Sequence, residues 1–212
     1  MTVYKLSEDI CFPHPTLADE DGLLAIGGDY SIERMLLAYN HGIFPWYKHN
    51  GLIYWYATNP RMVIFPEKFK PNHGLKRVLN KNIFKTTVNK DFESVINFCS
   101  KIKRKEKGSW INDSYKNAFK ELYEKGYAVS IEVWYENELV GGLYGIIVRN
   151  GFCGESMFSA MPNASKVAFC CLIDIAKKLN WKFIDAQQDT AHMRTLCGEL
   201  ISFEEFYSML TT

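Results

Sequence analysis

Residues 128–159 read AVSIEVWYENELVGGLYGIIVRNGFCGESMFS, and this stretch decides the fold. It contains three runs rich in apolar, β-branched and aromatic residues, at 128–134, 139–148 and 152–159. The polar pairs Glu136-Asn137 and Asn150-Gly151 separate them. Runs of this composition bounded by turn residues are typical of antiparallel strands joined by tight turns. We therefore predict three consecutive antiparallel strands joined by tight turns.

Helical patterns lie on both sides of these strands. Apolar residues recur at helical spacing over 92–102 and 115–122, and a long apolar helix is predicted over 165–178. The run KFIDAQ (182–187) reads as a further strand, so a helix connects two strands of one sheet. The predicted fold class is α+β, a mixed sheet with helices packed on it.

The N-terminal part of the chain has a different character. About the first 60 residues contain four of the seven prolines and several glycine turns. They surround one short helix, which we expect to begin after Ser31 and to end at Gly42. We predict a small N-terminal domain over 1–62 and a larger domain over 63–212.

Composition narrows the class of protein. The chain has 212 residues, of which 47% are hydrophobic and 15% aromatic, as in globular proteins. Its start, MTVYKLSEDICFPHP, has no basic stretch followed by an apolar one, and no apolar run reaches membrane length. We therefore expect a monomeric cytoplasmic protein with no membrane partner, whose six cysteines are reduced thiols.

Charge is distributed unevenly along the chain. The net charge is only +1, but residues 68–107 contain 12 Lys or Arg against three acidic residues. A local positive field of this kind binds phosphate groups. The alternative is a solvated surface run, which is the commoner role of any single lysine. The residues expected to contact phosphates are Lys76, Arg77, Lys103, Arg104 and Lys105.

Three polar residues interrupt the apolar strands, and they are the candidates for chemistry. Glu155 lies within FCGESMF, and Asp185 and Gln187 lie within FIDAQQ. Residues two apart on a strand share a face, so we expect Asp185 to hold Gln187 in one orientation. Gln187 would then either accept a proton from an amine nucleophile or position that amine. The alternative is a satisfied polar network at a strand end.

Two tryptophans on predicted loops suggest nucleotide binding. Trp46 follows a proline in IFPWY, and Trp110 precedes a helix. A base stacked on an exposed aromatic ring gains about 1–3 kcal/mol, and two rings can enclose one base.

The histidines and cysteines are the residues most often found as zinc ligands. None of the five histidines forms an HExxH motif or pairs with a nearby cysteine at zinc spacing, so we predict no metal site.

Several long strings resemble one bacterial enzyme family, the leucyl/phenylalanyl-tRNA-protein transferases. They occur in the same order over nearly the whole chain. The strings are GLLAIGGDYSIERMLLAYNHGIFPWY (22–47), GSWI (108–111), SIEVWYENELVGGLYG (130–145), FCGESMFS with NASK (152–166) and FIDAQ with AH (183–192).

The resemblance implies a fold and a reaction. The fold would be a small N-terminal domain followed by a GNAT-like domain, resembling the acyl-CoA N-acyltransferases. The reaction would transfer Leu or Phe, with Met as a further candidate, from aminoacyl-tRNA to the α-amine of proteins that begin with Arg or Lys. The product would be marked for N-end rule degradation, and no diffusible cofactor would be needed.

The resemblance also implies roles for residues, by their match to the family's motifs. The residues implied are Trp46, Trp110 and Tyr39 for the terminal adenosine, Leu143, Phe152, Met157, Ser159 and Ile184 for the Leu or Phe side chain, and Glu155, Asp185 and Gln187 for catalysis. Phe152 and Met157 have opposite parity on one strand, so both can face one pocket only if the strand is irregular. We predict a β-bulge near Gly154.

Two other functions fit parts of the pattern. A GNAT-type acyltransferase that uses acyl-CoA has the same order of elements, but it needs a Gly-rich pyrophosphate loop where this chain has MPNAS (161–165). A non-catalytic module that recognises protein N-termini would keep an acidic pocket, but it would need neither the tryptophan pair nor the basic segment.

Overall fold

A computed structural model describes residues 3–102 and 110–211, and its strands form two sheets. The smaller sheet has the spatial order β1-β2-β4-β3. Its strands are β1 (Tyr4–Leu6), β2 (Leu23–Gly27), β3 (Phe44–His49) and β4 (Leu52–Tyr56). One helix, α1 (Ile32–Asn40), begins after Ser31 and ends just before Gly42, as predicted.

The larger sheet has seven strands. They are β5 (Arg61–Ile64), β6 (Lys85–Val88), β7 (Ala128–Tyr135), β8 (Glu138–Val148), β9 (Gly151–Ser159), β10 (Phe183–Gln187) and β11 (Glu199–Ile201). Their spatial order is β11-β5-β10-β9-β8-β7-β6, and only β9 and β10 run parallel to each other. The predicted hairpins and the mixed sheet are therefore confirmed.

Helices cover both faces of the larger sheet. The helices that follow α1 are α2 (His73–Asn80), α3 (Phe92–Ser100), α4 (Asp113–Glu124), α5 (Ala164–Lys178), α6 (Ala191–Thr195) and α7 (Phe203–Thr211). A hydrophobic core lies on each face of the sheet, and successive residues of β8 point into different cores. Leu143 packs in the first core, with α5, and Tyr144 packs in the second core, with α3 and α4. The smaller sheet belongs to this second core, so both sheets share buried residues.

The two sheets meet at a short connection. Strand β5 starts at Arg61 and pairs with β10 and β11, so residues 61 and 62 belong to the larger sheet. The predicted start of the second domain at residue 63 therefore falls inside a strand. We place the proposed division just before Arg61, because a strand is hydrogen-bonded along its length to its own sheet.

Two irregularities interrupt neighbouring strands at the same level of the sheet. In β9, Tyr144 pairs with Ser156 and Gly145 pairs with Gly154, which leaves Glu155 as an extra residue. In β10, the register shifts between Asp185 and Gln187. The bulge predicted near Gly154 is thus confirmed, and a second bulge lies beside it.

Candidate active site

A cavity of about 770 Å³ opens at this irregular part of the sheet. Its walls come from the larger sheet, from α5, from β3 and from Ile102 and Trp110. It is apolar along most of its length, and Glu155, Asp185 and Gln187 form its polar end. A concave, mainly apolar space with a few convergent polar groups is typical of ligand-binding and active sites.

The bulge at Glu155 builds the apolar wall. Without the extra residue, Phe152 and Met157 would point to opposite faces of β9. With it, Phe152 pairs with Ile147 and Met157 pairs with Leu143, so both side chains lie on the face that α5 covers. Four of the five residues assigned to the side-chain pocket therefore line one cavity: Leu143, Phe152, Met157 and Ile184.

Ser159 does not fit its assigned role. It lies at the exposed end of β9, where its hydroxyl donates to the Met161 carbonyl at 2.7 Å and accepts from the Ser165 amide at 3.2 Å. These bonds hold the start of α5. Ser159 therefore fixes a helix end beside the cavity and is not among the residues that line it.

Glu155 is the most unusual acid of the cavity. Tyr115 donates a short hydrogen bond to one carboxylate oxygen, and the Gln187 side-chain amide donates to the other at 3.1 Å. Burial raises the pKa of Glu155 to about 7, although both of these donors act to lower it. Near neutral pH this carboxyl group is therefore partly protonated.

Tyr39 lies behind Glu155 and not in the cavity. Its ring is 1% exposed and packs edge-on against Phe119, so it has no face available for a nucleobase. Burial, and then the neighbouring Glu155, raise the pKa of Tyr39. The structure therefore places Tyr39 in the core beside Glu155 and does not bring it to the cavity, where the resemblance would place a residue that contacts the adenosine.

Asp185 and Gln187 interact, but in a different way from the prediction. The backbone amide of Gln187 donates to Asp185 Oδ1 at 2.9 Å, and the side-chain amide of Gln187 turns to Glu155. The bulge between the two residues is the reason, because it breaks the alternation that would put both side chains on one face. Asp185 thus holds the backbone of Gln187 and not its side chain.

Trp46 and Trp110 both line the cavity, as expected of a nucleotide clasp. Both rings are half-buried. Each is supported edge-on by a tyrosine: Trp46 by Tyr56 at 4.8 Å between ring centroids, and Trp110 by Tyr115 at 5.1 Å. Such contacts fix the ring plane.

The structure describes two of the five residues predicted to contact phosphates. Lys76 and Arg77 are exposed on α2, which packs against α5, the helix that forms one wall of the cavity. Lys103, Arg104 and Lys105 lie outside the described residues.

Three residues important to the site were not predicted. Tyr115 recurs at helical spacing with Phe119 and Leu122, so its pattern indicated only a core position. Arg61 forms a buried ion pair with Asp185, and no sequence signal connects residues so far apart. His192, on α6, places a ring nitrogen 3.2 Å from Met157 Sδ, and burial lowers its pKa.

Two kinds of feature are absent from the described ranges, 3–102 and 110–211. No group of three or more His, Cys, Asp or Glu side chains there is arranged to hold a metal ion. Nor is any helix in these ranges long and apolar enough to cross a bilayer.

The fold and the cavity together define a class of protein. It is a mixed α+β protein with a large, mainly apolar cavity that two tryptophans border, and a carboxyl and amide pair lies at the polar end of this cavity. Two family models match the chain. The model for leucyl/phenylalanyl-tRNA protein transferase matches residues 63–211, and the model for the N-terminal domain of that family matches residues 28–59.

Individual relatives agree as well. A leucyl/phenylalanyl-tRNA–protein transferase of Flavobacterium johnsoniae is 47% identical, covering 98% of this chain and 99% of the relative. One of Syntrophobacter fumaroxidans is 44% identical, covering 99% of this chain and 90% of the relative. The chain therefore belongs to the leucyl/phenylalanyl-tRNA protein transferase family and is an aminoacyltransferase, which confirms the resemblance.

A solved structure of L-PGS from Bacillus licheniformis is a more distant match. Its TM-score is 0.44 at 14% identity, and the match covers 79% of this chain and 54% of that chain.

Proposed function

We propose that this protein transfers Leu or Phe, and to some extent Met, from aminoacyl-tRNA to the N-terminal α-amine of proteins that begin with Arg or Lys. The observation that carries the proposal is the hydrogen-bonded pair of Glu155 and Gln187 at the polar end of an apolar cavity that two tryptophans border. Family membership supports the same reaction.

The cavity fits the two parts of an aminoacyl ester. The apolar part accepts the amino-acid side chain, and a flexible thioether such as Met157 adapts to both a branched and an aromatic group. Trp46 and Trp110 accept the terminal adenosine by stacking. The ester carbonyl then lies between them, beside Gln187.

The chemistry requires a neutral amine, and an α-amine has a pKa of about 7.7–8, so a useful fraction is neutral at cellular pH. Its nitrogen attacks the ester carbonyl carbon, a C–N bond forms, and the bond to the ribose oxygen breaks. The proton lost by nitrogen ends on that oxygen.

Gln187 is proposed to orient the attacking amine. Because its amide NH₂ group faces Glu155, its carbonyl oxygen lies on the other side of the amide and accepts from the incoming N–H. Rate enhancement then comes mainly from alignment of the two reactants. Asp185 contributes by holding the backbone of Gln187.

The wider arrangement completes the proposal. The larger sheet is GNAT-like, with α5 crossing between the parallel strands β9 and β10, and the N-terminal residues to about 60 form a small domain that packs against it through a shared core. Lys76 and Arg77, with Lys103, Arg104 and Lys105, bind tRNA phosphates. The protein acts as a cytoplasmic monomer without a cofactor, because aminoacyl-tRNA is itself the activated donor.

One assay tests the reaction against its alternatives. The protein is incubated with Leu-tRNA labelled in the amino acid and with a peptide that begins with Arg, and a peptide with an acetylated N-terminus serves as the control. Label on the free-amine peptide alone supports the transferase. A requirement for acyl-CoA would favour the GNAT-type acyltransferase. Binding of the peptide without transfer would favour a recognition module.

A further inference from the structure

Gln187 has an unusual backbone. Its φ is +59°, in the left-handed region that glycine adopts easily and a long side chain adopts rarely. This left-handed residue lies at the bulge of β10, and its own side-chain amide is the group that the proposed reaction uses. A residue keeps such a conformation only when its surroundings fix it.

Both polar groups of the Gln187 backbone are fixed. Its N–H donates to Asp185 Oδ1 at 2.9 Å, and its C=O accepts from the Thr58 hydroxyl at 2.8 Å. Thr58 is 129 positions away in sequence, at the junction between the two sheets. The bonds therefore clamp the residue from its own strand and from a distant segment.

Arg61 joins the two halves of this clamp. Its Nε and Nη2 donate to the two carboxylate oxygens of Asp185 at 2.8 and 2.7 Å, and its Nη1 donates to Thr58 Oγ1 at 3.3 Å. Arg61 is 1% exposed and Asp185 is fully buried. A bidentate pair in this environment has one favoured geometry.

Two aromatic rings hold the guanidinium group from outside. Its central carbon lies 4.9 Å from the centroid of Phe44 and 4.8 Å from that of Phe206. Phe44 belongs to the smaller sheet and Phe206 to α7, so both sheets and the C-terminal helix converge on the clamp.

We infer that Thr58 and Arg61 are positioning residues, which with Asp185 hold Gln187 in its left-handed conformation and so aim its side-chain amide at Glu155 and the attacking amine. The inference rests on the proposed function of Gln187. It also assigns Asp185 a role in positioning, since its oxygens are occupied by Arg61 and by the Gln187 amide.

The test uses a matched pair at Thr58, because Val keeps the shape and Ser keeps the hydroxyl. We expect Thr58→Val to lower kcat by about 10- to 100-fold, the range that misplacement of about 1 Å produces. The KM for Leu-tRNA should be unchanged, and Thr58→Ser should restore most of kcat. Equal kcat in Thr58→Val and the wild type, or equal loss in both variants, would overturn the inference.

A second measurement separates positioning from general damage to the fold. Gln187→Ala should itself lower kcat, and adding Thr58→Val to it should cause no further loss, because the clamp acts only through Gln187. The same fold-loss in both backgrounds would overturn the clamp and leave the transferase intact. Absence of transfer by the wild type would overturn the proposed function, and the inference with it.

Discussion

Glu155 shows how one side chain combines a functional and a structural effect. Burial raises the pKa of this carboxyl group from 4.5 to about 7, so the folded protein favours its protonated form. The unfolded chain loses the proton near the ordinary value. The contribution of this one group to stability is therefore full below about pH 4.5 and is lost as the pH rises towards 7. The ionised carboxylate that accepts from Gln187 is present only at a cost to the fold.

Replacement of Glu155 by glutamine should remove the destabilisation that the ionised carboxylate causes at high pH. At pH 8, Glu155→Gln removes a buried negative charge, so we expect Tm to rise by about 3–6 °C relative to the wild type. At pH 4.5 the two proteins should unfold at nearly the same temperature. Calorimetry at both pH values measures this, and a difference in Tm that does not change with pH would contradict it.

Trp110 allows a direct test of the adenosine site. Trp110→Ala removes one stacking surface, and we expect aminoacyl-adenosine to bind about 5- to 150-fold more weakly, as a loss of about 1–3 kcal/mol implies. Trp134→Ala is the matched control, because this ring lies on β7 against Lys90 and not in the cavity. Equal affinities of the two variants in equilibrium titration would argue against the clasp.

At the scale of elements, the bulge of β9 allows the hairpin of β8 and β9 to line the cavity, because it brings Phe152 and Met157 to the same face of the sheet. Gly145 faces the bulge across the ladder, and a Cβ atom there would lie 2.1 Å from the Cys153 carbonyl oxygen and 2.5 Å from the Phe152 ring. Only a residue without a side chain permits β8 and β9 to approach this closely. The position of Phe152 in the cavity therefore depends on Gly145.

We expect Gly145→Ala to lower stability by about 1–3 kcal/mol, since backbone as well as side-chain atoms must move. Transfer activity should fall with it, because Phe152 and Glu155 are displaced together. Gly74→Ala in α2 is the control: its Cβ meets only Asn72 Oδ1, at 3.4 Å, and the change should leave stability equal or higher. Denaturant unfolding compares the two, and similar midpoints would be evidence against this account of the bulge.

At the scale of the whole molecule, charge is segregated along the chain. The net charge is +1, yet the segment 68–107 carries +9. Part of this charge is engaged within the protein: Lys68 pairs with Glu199, and Lys90 lies over the Trp134 ring. Of the five residues predicted to contact phosphates, the structure describes Lys76 and Arg77; both are exposed, and no ion pair of either is seen among residues 3–102 and 110–211.

Salt dependence tests this. The double variant Lys76→Ala and Arg77→Ala should bind tRNA more weakly, and its plot of log affinity against log salt should be shallower by about 1 to 2, one for each lost phosphate contact. Lys178→Ala with Lys182→Ala removes equal charge from exposed positions outside the basic segment. An unchanged slope in the first variant, or the same change in both, would contradict the assignment.

The sequence by itself determined the elements of this protein. Alternation and turn residues predicted the hairpins over 128–159, and helical spacing predicted α3, α4 and α5. These features follow from local chemistry, because neighbours along the chain determine turn geometry and which side of a strand each residue faces. The bulge beside Gly154 followed from strand parity only once the resemblance had assigned Phe152 and Met157 to one pocket. The family's motifs added the residues that line the cavity.

Only the tertiary structure decided how the polar residues pair. Arg61 lies 124 positions from Asp185, and Tyr115 lies 40 positions from Glu155. Their partners were chosen by the packing of separate elements. The bulge of β10, with the left-handed φ of Gln187, makes the contact with Asp185 through the backbone amide and not through the side chain, and Tyr39 is buried in the core away from the cavity. Local sequence patterns do not predict such long-range contacts, because the spacing of two residues in sequence does not determine their distance in the folded chain.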